Sequence, residues 1–148
     1  MEPQQIIDAC ETNWEAHKAD CSGFVKAVAL ALAVKTFSAG DNADAIVDRL
    51  SAASDWTPLD PGDGAAARTR AGAGQLVLGA MKGCDQVNPD LNGHVVVVVT
   101  GPLDAAHGEY PTAYWGKLGG VGARAQTINF AWRAGDRDRV AYFAKSLD

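Results

Sequence analysis

Three cysteines and three histidines make up the thiol and imidazole chemistry of this chain: Cys10, Cys21 and Cys84, with His17, His94 and His107. None of them stands at the C-x-x-C or H-x-x-x-H spacing of a zinc site, so no metal is expected. An odd cysteine count leaves at least one thiol unpaired and argues against a disulfide scaffold. Cys21 has the most suggestive setting. In "DCSGF", residues 20–24, it follows an acid and precedes small residues, at the mouth of a run of helix formers. A helix start carries unpaired N–H groups and about half a positive charge. That field should lower the thiol's pKa and make it nucleophilic. A lone cysteine is also among the most buried residue types, so "DCSGF" alone leaves a small core residue as the alternative.

The bases can be compared one by one. His94 opens the strand-like "HVVVVVTG", straight after the turn-rich "NPDLNG". A histidine there is held by a rigid element while its ring can face a cleft. A cysteine at a helix start and a histidine at a strand start are the two halves of a thiol–imidazole dyad. The imidazole takes the thiol proton and later protonates the leaving amine. The N–H of Cys21 or Ser22 can then serve as an oxyanion donor. His17, four residues before Cys21, is the rival base, although a helix end suits a capping or exposed residue. His107 lies in the loop "LDAAHGEYP". Asp20 reads as the cap of the helix that Cys21 begins. Ser22 has no GxSxG elbow around it, and "GAGAG" lacks the Lys and Ser/Thr of a phosphate loop.

The elements that must position these residues follow from periodicity. Ile6, Ile7, Cys10 and Trp14 recur at helical spacing over residues 4–17, with Pro3 at the start. A second helix is expected over about 21–34, burying Phe24, Val25, Val28 and Leu32. A third should follow Asp41, with Ile46, Val47 and Leu50 inward. "TPLDPGDGAAARTRAGAG" reads as loop with at most one short helical turn. Strands are expected at 75–81, 94–101, 111–118 and 123–132; five consecutive valines make a poor helix and a good buried strand. "GDRDRVAYFAKSL" reads as a closing helix capped near Asp136. Helices first and strands after imply an α+β fold with an antiparallel sheet.

Composition sets the outer bounds. At 148 residues, 47% hydrophobic and 21% charged, the chain suits one globular domain, residues 1–148. A net charge of −5 lacks the basic excess of a nucleic-acid binder. No stretch approaches the roughly 20 apolar residues needed to span a bilayer, so no membrane insertion is expected. "MEPQQIIDAC" has no basic segment followed by an apolar one, so it does not read as a secretory signal. A monomer is expected.

"DCSGFVKAVA" followed far downstream by "GHVVVVVTGPL" resembles the NlpC-type papain-like cell-wall peptidases. More narrowly, the chain resembles the family 1 amidase effectors of bacterial type VI secretion. The likeness runs over nearly the whole length, through "DACETNW", "DNADAIVDRL", "EYPTAYWG" and "DRDRVAYFAKSL". The resemblance implies a papain-like fold with N-terminal helices packed on a central antiparallel β-sheet. It implies hydrolysis of peptidoglycan stem peptides, typically between γ-D-glutamate and meso-diaminopimelate, with no cofactor. Cys21 takes the nucleophile position and His94 the base position, with Ser22 and Asp20 on the oxyanion side of the cleft. The third, orienting position falls at Trp115 in "AYWGK". Indole cannot accept a hydrogen bond from imidazole, so a backbone carbonyl of residues 113–116, or a water held by it, is expected in that role. "CDQVNPDLN" is expected to shape the cleft. Lys82 and Lys117, near the ends of expected strands, are candidates for reading substrate carboxylates.

The same resemblance implies an antibacterial toxin. It would be exported by the type VI apparatus without a signal peptide, act in the periplasm of recipient Gram-negative cells, and be held in check by a cognate immunity protein. Two other readings stay open at this point. One is a different papain-like thiol enzyme, such as an acyltransferase or a protein deamidase. The other is a catalytically degenerate cell-wall binding module. Release of stem-peptide fragments from sacculi separates the first reading from both.

Overall fold

The computed structural model describes residues 1–106 and 108–148; His107 lies outside the described residues. The chain forms helices α1 (Pro3–His17), α2 (Cys21–Ala31) and α3 (Ala43–Ala52), a short strand β1 (Thr57–Pro58) and helix α4 (Gly64–Gly72). Strands β2 (Leu76–Met81), β3 (His94–Val98), β4 (Thr112–Trp115), β5 (Ala123–Thr127) and β6 (Ala141–Lys145) follow. They build one antiparallel sheet in the order β1-β6-β2-β3-β4-β5. The architecture is α+β.

The apolar run of β3 is buried because both faces of the sheet are covered. Val95, Val97 and Val99 join Phe24, Val28, Ile46 and Leu50 in the core beneath α1, α2 and α3. Val96 and Val98 point the other way, toward Ala67 and Ala71 of α4, Ile128, Trp132 and Tyr142. The alternation is that of any strand. Each fully buried valine contributes about 1.5–3 kcal/mol of burial free energy, so β2 and β3 form the rigid centre of the molecule.

Four expectations from the sequence need correction. The closing segment is no helix: a 3₁₀ turn at Arg137–Arg139 leads into β6, which lies between β1 and β2. Its apolar run is short, and Tyr142 and Ala144 face one core while Phe143 faces the other. Periodicity alone does not separate such a run from a helical one. Residues 57–74 hold a nine-residue helix rather than loop, because Asp63 caps α4 by accepting the Ala66 N–H at 3.0 Å. The glycines of that segment stand at the helix ends. The second helix stops at Ala31, since Ala33 takes a left-handed φ of 61° and the Val34 N–H turns back to the Ala29 carbonyl at 2.8 Å. The strand expected at 123–132 ends at Thr127 and is followed by a 3₁₀ turn, Ile128–Phe130. The third helix begins at Ala43 and is capped by Asn42, whose side chain accepts from the Ala45 N–H at 2.9 Å.

Candidate active site

Cys21 is the first residue of α2, and its side chain is 7% exposed. The backbone N–H groups of Val95, Ser22 and Cys21 itself face the sulfur. Those donors favour thiolate, as expected of a helix start. Burial nonetheless dominates and the Asp20 carboxylate adds repulsion, so the thiol's pKa is raised. This corrects the expectation of a lowered value: desolvation outweighs the dipole at this depth. The other two thiols stand elsewhere, Cys10 buried on α1 and Cys84 exposed, and all three are free.

Asp20 occupies the N-cap position with extended backbone, but its side chain accepts no helix N–H. Its carboxylate takes the Ser22 hydroxyl at 3.1 Å instead. That corrects the reading of Asp20 as a side-chain cap. Cα of Gly23 leaves room for the acid: a Cβ there would lie 2.4 Å from Asp20 Oδ2. Asp20, Cys21 and Ser22 together line a small depression with Asn92 and Leu91.

His94 opens β3 directly beside the residue whose N–H faces the sulfur. Its half-buried ring packs edge-on against two indoles, Trp132 at 5.1 Å and 69° and Trp115 at 6.4 Å and 87° between ring centroids and planes. Burial, and secondarily the Lys117 cation, depress the imidazole from 6.5 to about 4. Both shifts favour the uncharged forms, neutral thiol and neutral imidazole.

The orienting group is where expectation and geometry part. The Trp115 carbonyl accepts the Trp14 indole N–H at 3.1 Å. Among the described residues no carbonyl of residues 113–116 and no side chain accepts from the His94 ring. The direct neighbours of the ring are the two indoles, which restrict its plane by packing. Trp132 is 6% exposed, and its Nε1 is the sole buried side-chain polar atom without a partner among the described residues. Neither contact was legible in the sequence. The available signal was an aromatic at the end of "INFAW", just past a polar strand.

Cys21 and His94 open on one cleft of about 620 Å³. One wall is the β2–β3 connection, with Gln86, Asn88, Pro89, Asp90 and Asn92; this is the segment expected to shape the cleft. The second is the β4–β5 turn, with Lys117 and Leu118, and the third is 130–137, with Phe130, Trp132, Arg133 and Asp136. Buried Asp136 ties the first wall to the third by accepting the Val87 N–H at 2.8 Å, and Asp44 accepts the Gly83 N–H at 3.1 Å. Lys82 is ion-paired with Asp48 and does not line the cleft. His17 is likewise absent from its lining.

Backbone contacts hold the β4–β5 turn against the start of α2. Lys117 N and Gly122 N both donate to the Lys18 carbonyl, at 3.0 and 2.8 Å. Gly116 makes this approach possible. A Cβ on it would lie 2.3 Å from the His17 carbonyl oxygen and 2.5 Å from that of Asp20.

The fold and site thus define a class: an α+β chain with a buried thiol at a helix start and an imidazole at a strand start on one cleft. No family model matches the chain. It is 35% identical over 154 aligned residues to the peptidoglycan amidase Tse1 of Pseudomonas aeruginosa, an alignment covering 97% of this chain and 91% of that protein. The chain belongs to the peptidoglycan amidase family of that protein, as its motifs suggest.

Proposed function

We propose that the protein is a cysteine amidase that hydrolyses peptidoglycan stem peptides, built as one papain-like, NlpC-type domain over residues 1–148. The observation that carries this reading is the opening of Cys21 and His94 on a single cleft, with backbone N–H groups facing the sulfur. Membership of a peptidoglycan amidase family supports the substrate class.

The reaction starts from the neutral pair. His94 accepts the Cys21 proton as the sulfur attacks the amide carbonyl, so charge separation develops only along the attack. The carbonyl oxygen becomes an oxyanion beside the backbone donors at the start of α2. The imidazolium then protonates the departing amine, leaving an acyl-enzyme thioester. Water, deprotonated by His94, hydrolyses the thioester and restores the thiol. The depressed basicity of His94 makes it a weak base at rest but a strong acid toward the leaving amine.

The bond is the amide between γ-D-glutamate and meso-diaminopimelate. The protein is an antibacterial effector carried by a type VI secretion apparatus into the periplasm of Gram-negative recipients, and a cognate immunity protein protects the producer. Purified sacculi incubated with the wild type, Cys21→Ala and His94→Ala test the reading by mass spectrometry of the released muropeptides. Fragments ending at γ-D-glutamate should appear with the wild type alone. Cleavage at the D-alanine cross-link would keep the chemistry and reject the bond. Undiminished cleavage by Cys21→Ala would reject the nucleophile.

A further inference from the structure

The cleft carries positive charge without internal partners, in a chain whose net charge is −5. Five cations elsewhere are ion-paired: Lys18 with Glu15, Arg49 with Asp41, Lys82 with Asp48, Arg124 with Glu11, Lys145 with Asp55. In the cleft, Arg137 donates to the Trp132 carbonyl at 3.0 Å and lies over the Tyr110 ring. Lys117 and Arg133 have no ion pair or side-chain hydrogen bond among the described residues. The two acids of the lining do not serve them. Asp136 is committed to the Val87 N–H and to Arg139, and Asp90 accepts the Asn92 N–H.

Lys117 is an exposed lysine on an anchored backbone. Its backbone N–H is tied to the Lys18 carbonyl, and its aliphatic stem passes over Gly120, where a Cβ would meet the stem at 3.6 Å. Lys117 lines the same cleft as His94, and its ammonium adds to the depression of the imidazole. A group bound to it is therefore held in the cleft onto which Cys21 and His94 open.

We propose that Lys117, with Arg133 as the second cation, forms a carboxylate subsite that selects substrates carrying a free carboxylate next to the scissile amide. The inference rests on the amidase reading and names what that amidase recognises. It has a mechanistic corollary. An empty subsite leaves the lysine charge working against imidazolium, and a bound carboxylate neutralises it.

Two carboxylates flank the bond, one on the glutamyl residue and one on the diaminopimelyl side chain. The test measures kcat/KM on three stem tetrapeptides: the free acid, its glutamyl α-carboxamide and its diaminopimelyl side-chain carboxamide. Wild type, Lys117→Met and Lys117→Arg are each assayed. The wild type should prefer the free acid over one of the two carboxamides by about 10- to 100-fold, the range of one charge-assisted contact, and that amide identifies the carboxylate read. Lys117→Met should lose the preference, its kcat/KM on the free acid falling to the level of its kcat/KM on that carboxamide, and Lys117→Arg should retain most of it. Equal wild-type rates on all three peptides would overturn the subsite and leave the amidase intact. A Lys117→Met variant that keeps the preference, or loses all three substrates together, overturns it as well. Failure of the wild type to cut any stem peptide would instead reject the amidase reading.

Discussion

Gly116→Ala is the sharpest test of how the site is assembled. The residue sits at the end of β4, where the strand meets the junction between α1 and α2. A methyl group there would stand 2.3 Å from the His17 carbonyl oxygen and 2.5 Å from that of Asp20. Ordinary van der Waals contact needs about 3.5 Å, so the backbones must separate by about 1 Å. Both obstructing atoms are main chain, so no rotamer change relieves them. Overpacking of this kind costs about 1–3 kcal/mol. The effect on turnover should be larger than on stability, because the displaced backbone leads directly into Cys21. A misplacement of about 1 Å costs on the order of 100-fold in rate. Gly120→Ala is the matched control on the same turn, since its Cβ would meet only the flexible Lys117 stem, at 3.6 Å. Urea denaturation and muropeptide release, measured on both variants, check the reasoning. A Gly116→Ala protein with wild-type stability and turnover would refute the claim that this contact sets the position of the nucleophile.

Further tests address the electrostatics and the walls. Because burial raises the Cys21 thiol, its alkylation by iodoacetamide should be slow at pH 7 and should keep rising with pH without levelling off by pH 9. A plateau between pH 5 and 7 would indicate a thiolate–imidazolium pair instead. The imidazole of His94 is held at about 4 against 6.5 when free. It is neutral in both states well above pH 6.5. Below that the unfolded chain binds the proton first, and stability declines to a loss of roughly 3 kcal/mol near pH 4. The difference in unfolding free energy between wild type and His94→Gln, followed from pH 8 to 4, should therefore change with that sign. Trp132→Ala should lower kcat more than it raises KM, by freeing the His94 ring; an unchanged kcat would remove packing as the orienting device. Asp136→Ala should loosen the 82–93 wall and raise KM, while leaving alkylation of Cys21 unaltered.

How far the sequence could be read depended on the range of the forces involved. Local signals were sufficient for α1, for the start of α2 at Cys21 and for the valine run of β3, because each is set by neighbours a few residues away. The α+β class followed from the order of those elements. β6 was lost to a helix because its partners, β1 and β2, lie far away in sequence and impose the strand through pairing. α4 was hidden by glycines that read as loop and in fact mark a helix start and end. At the site, the residue types for thiol chemistry were visible. Their electrostatic balance was not, since the Cys21 shift depends on burial that only the packed chain creates. The indole pair around His94 was invisible for a related reason: Trp115 and Trp132 lie on separate segments and flank His94 only once the chain is packed.

The division of labour within the cleft has a consequence for how such proteins can vary. Cys21 and His94 are fixed to a helix start and a central strand, whereas the surfaces around them come from three connections, 82–93, 116–122 and 128–137. Lengthening a connection is thermodynamically cheap: a doubling costs about 0.6 kcal/mol in closure entropy. Those connections can therefore be lengthened, shortened or recoloured in charge without disturbing the sheet. The tie from Asp136 to Val87 sets a limit, since two of the three must change in concert to keep it. Grafting the 82–93 and 128–137 segments together from a relative should thus transfer substrate choice onto this scaffold, whereas grafting either one alone should yield a folded protein with a frayed wall.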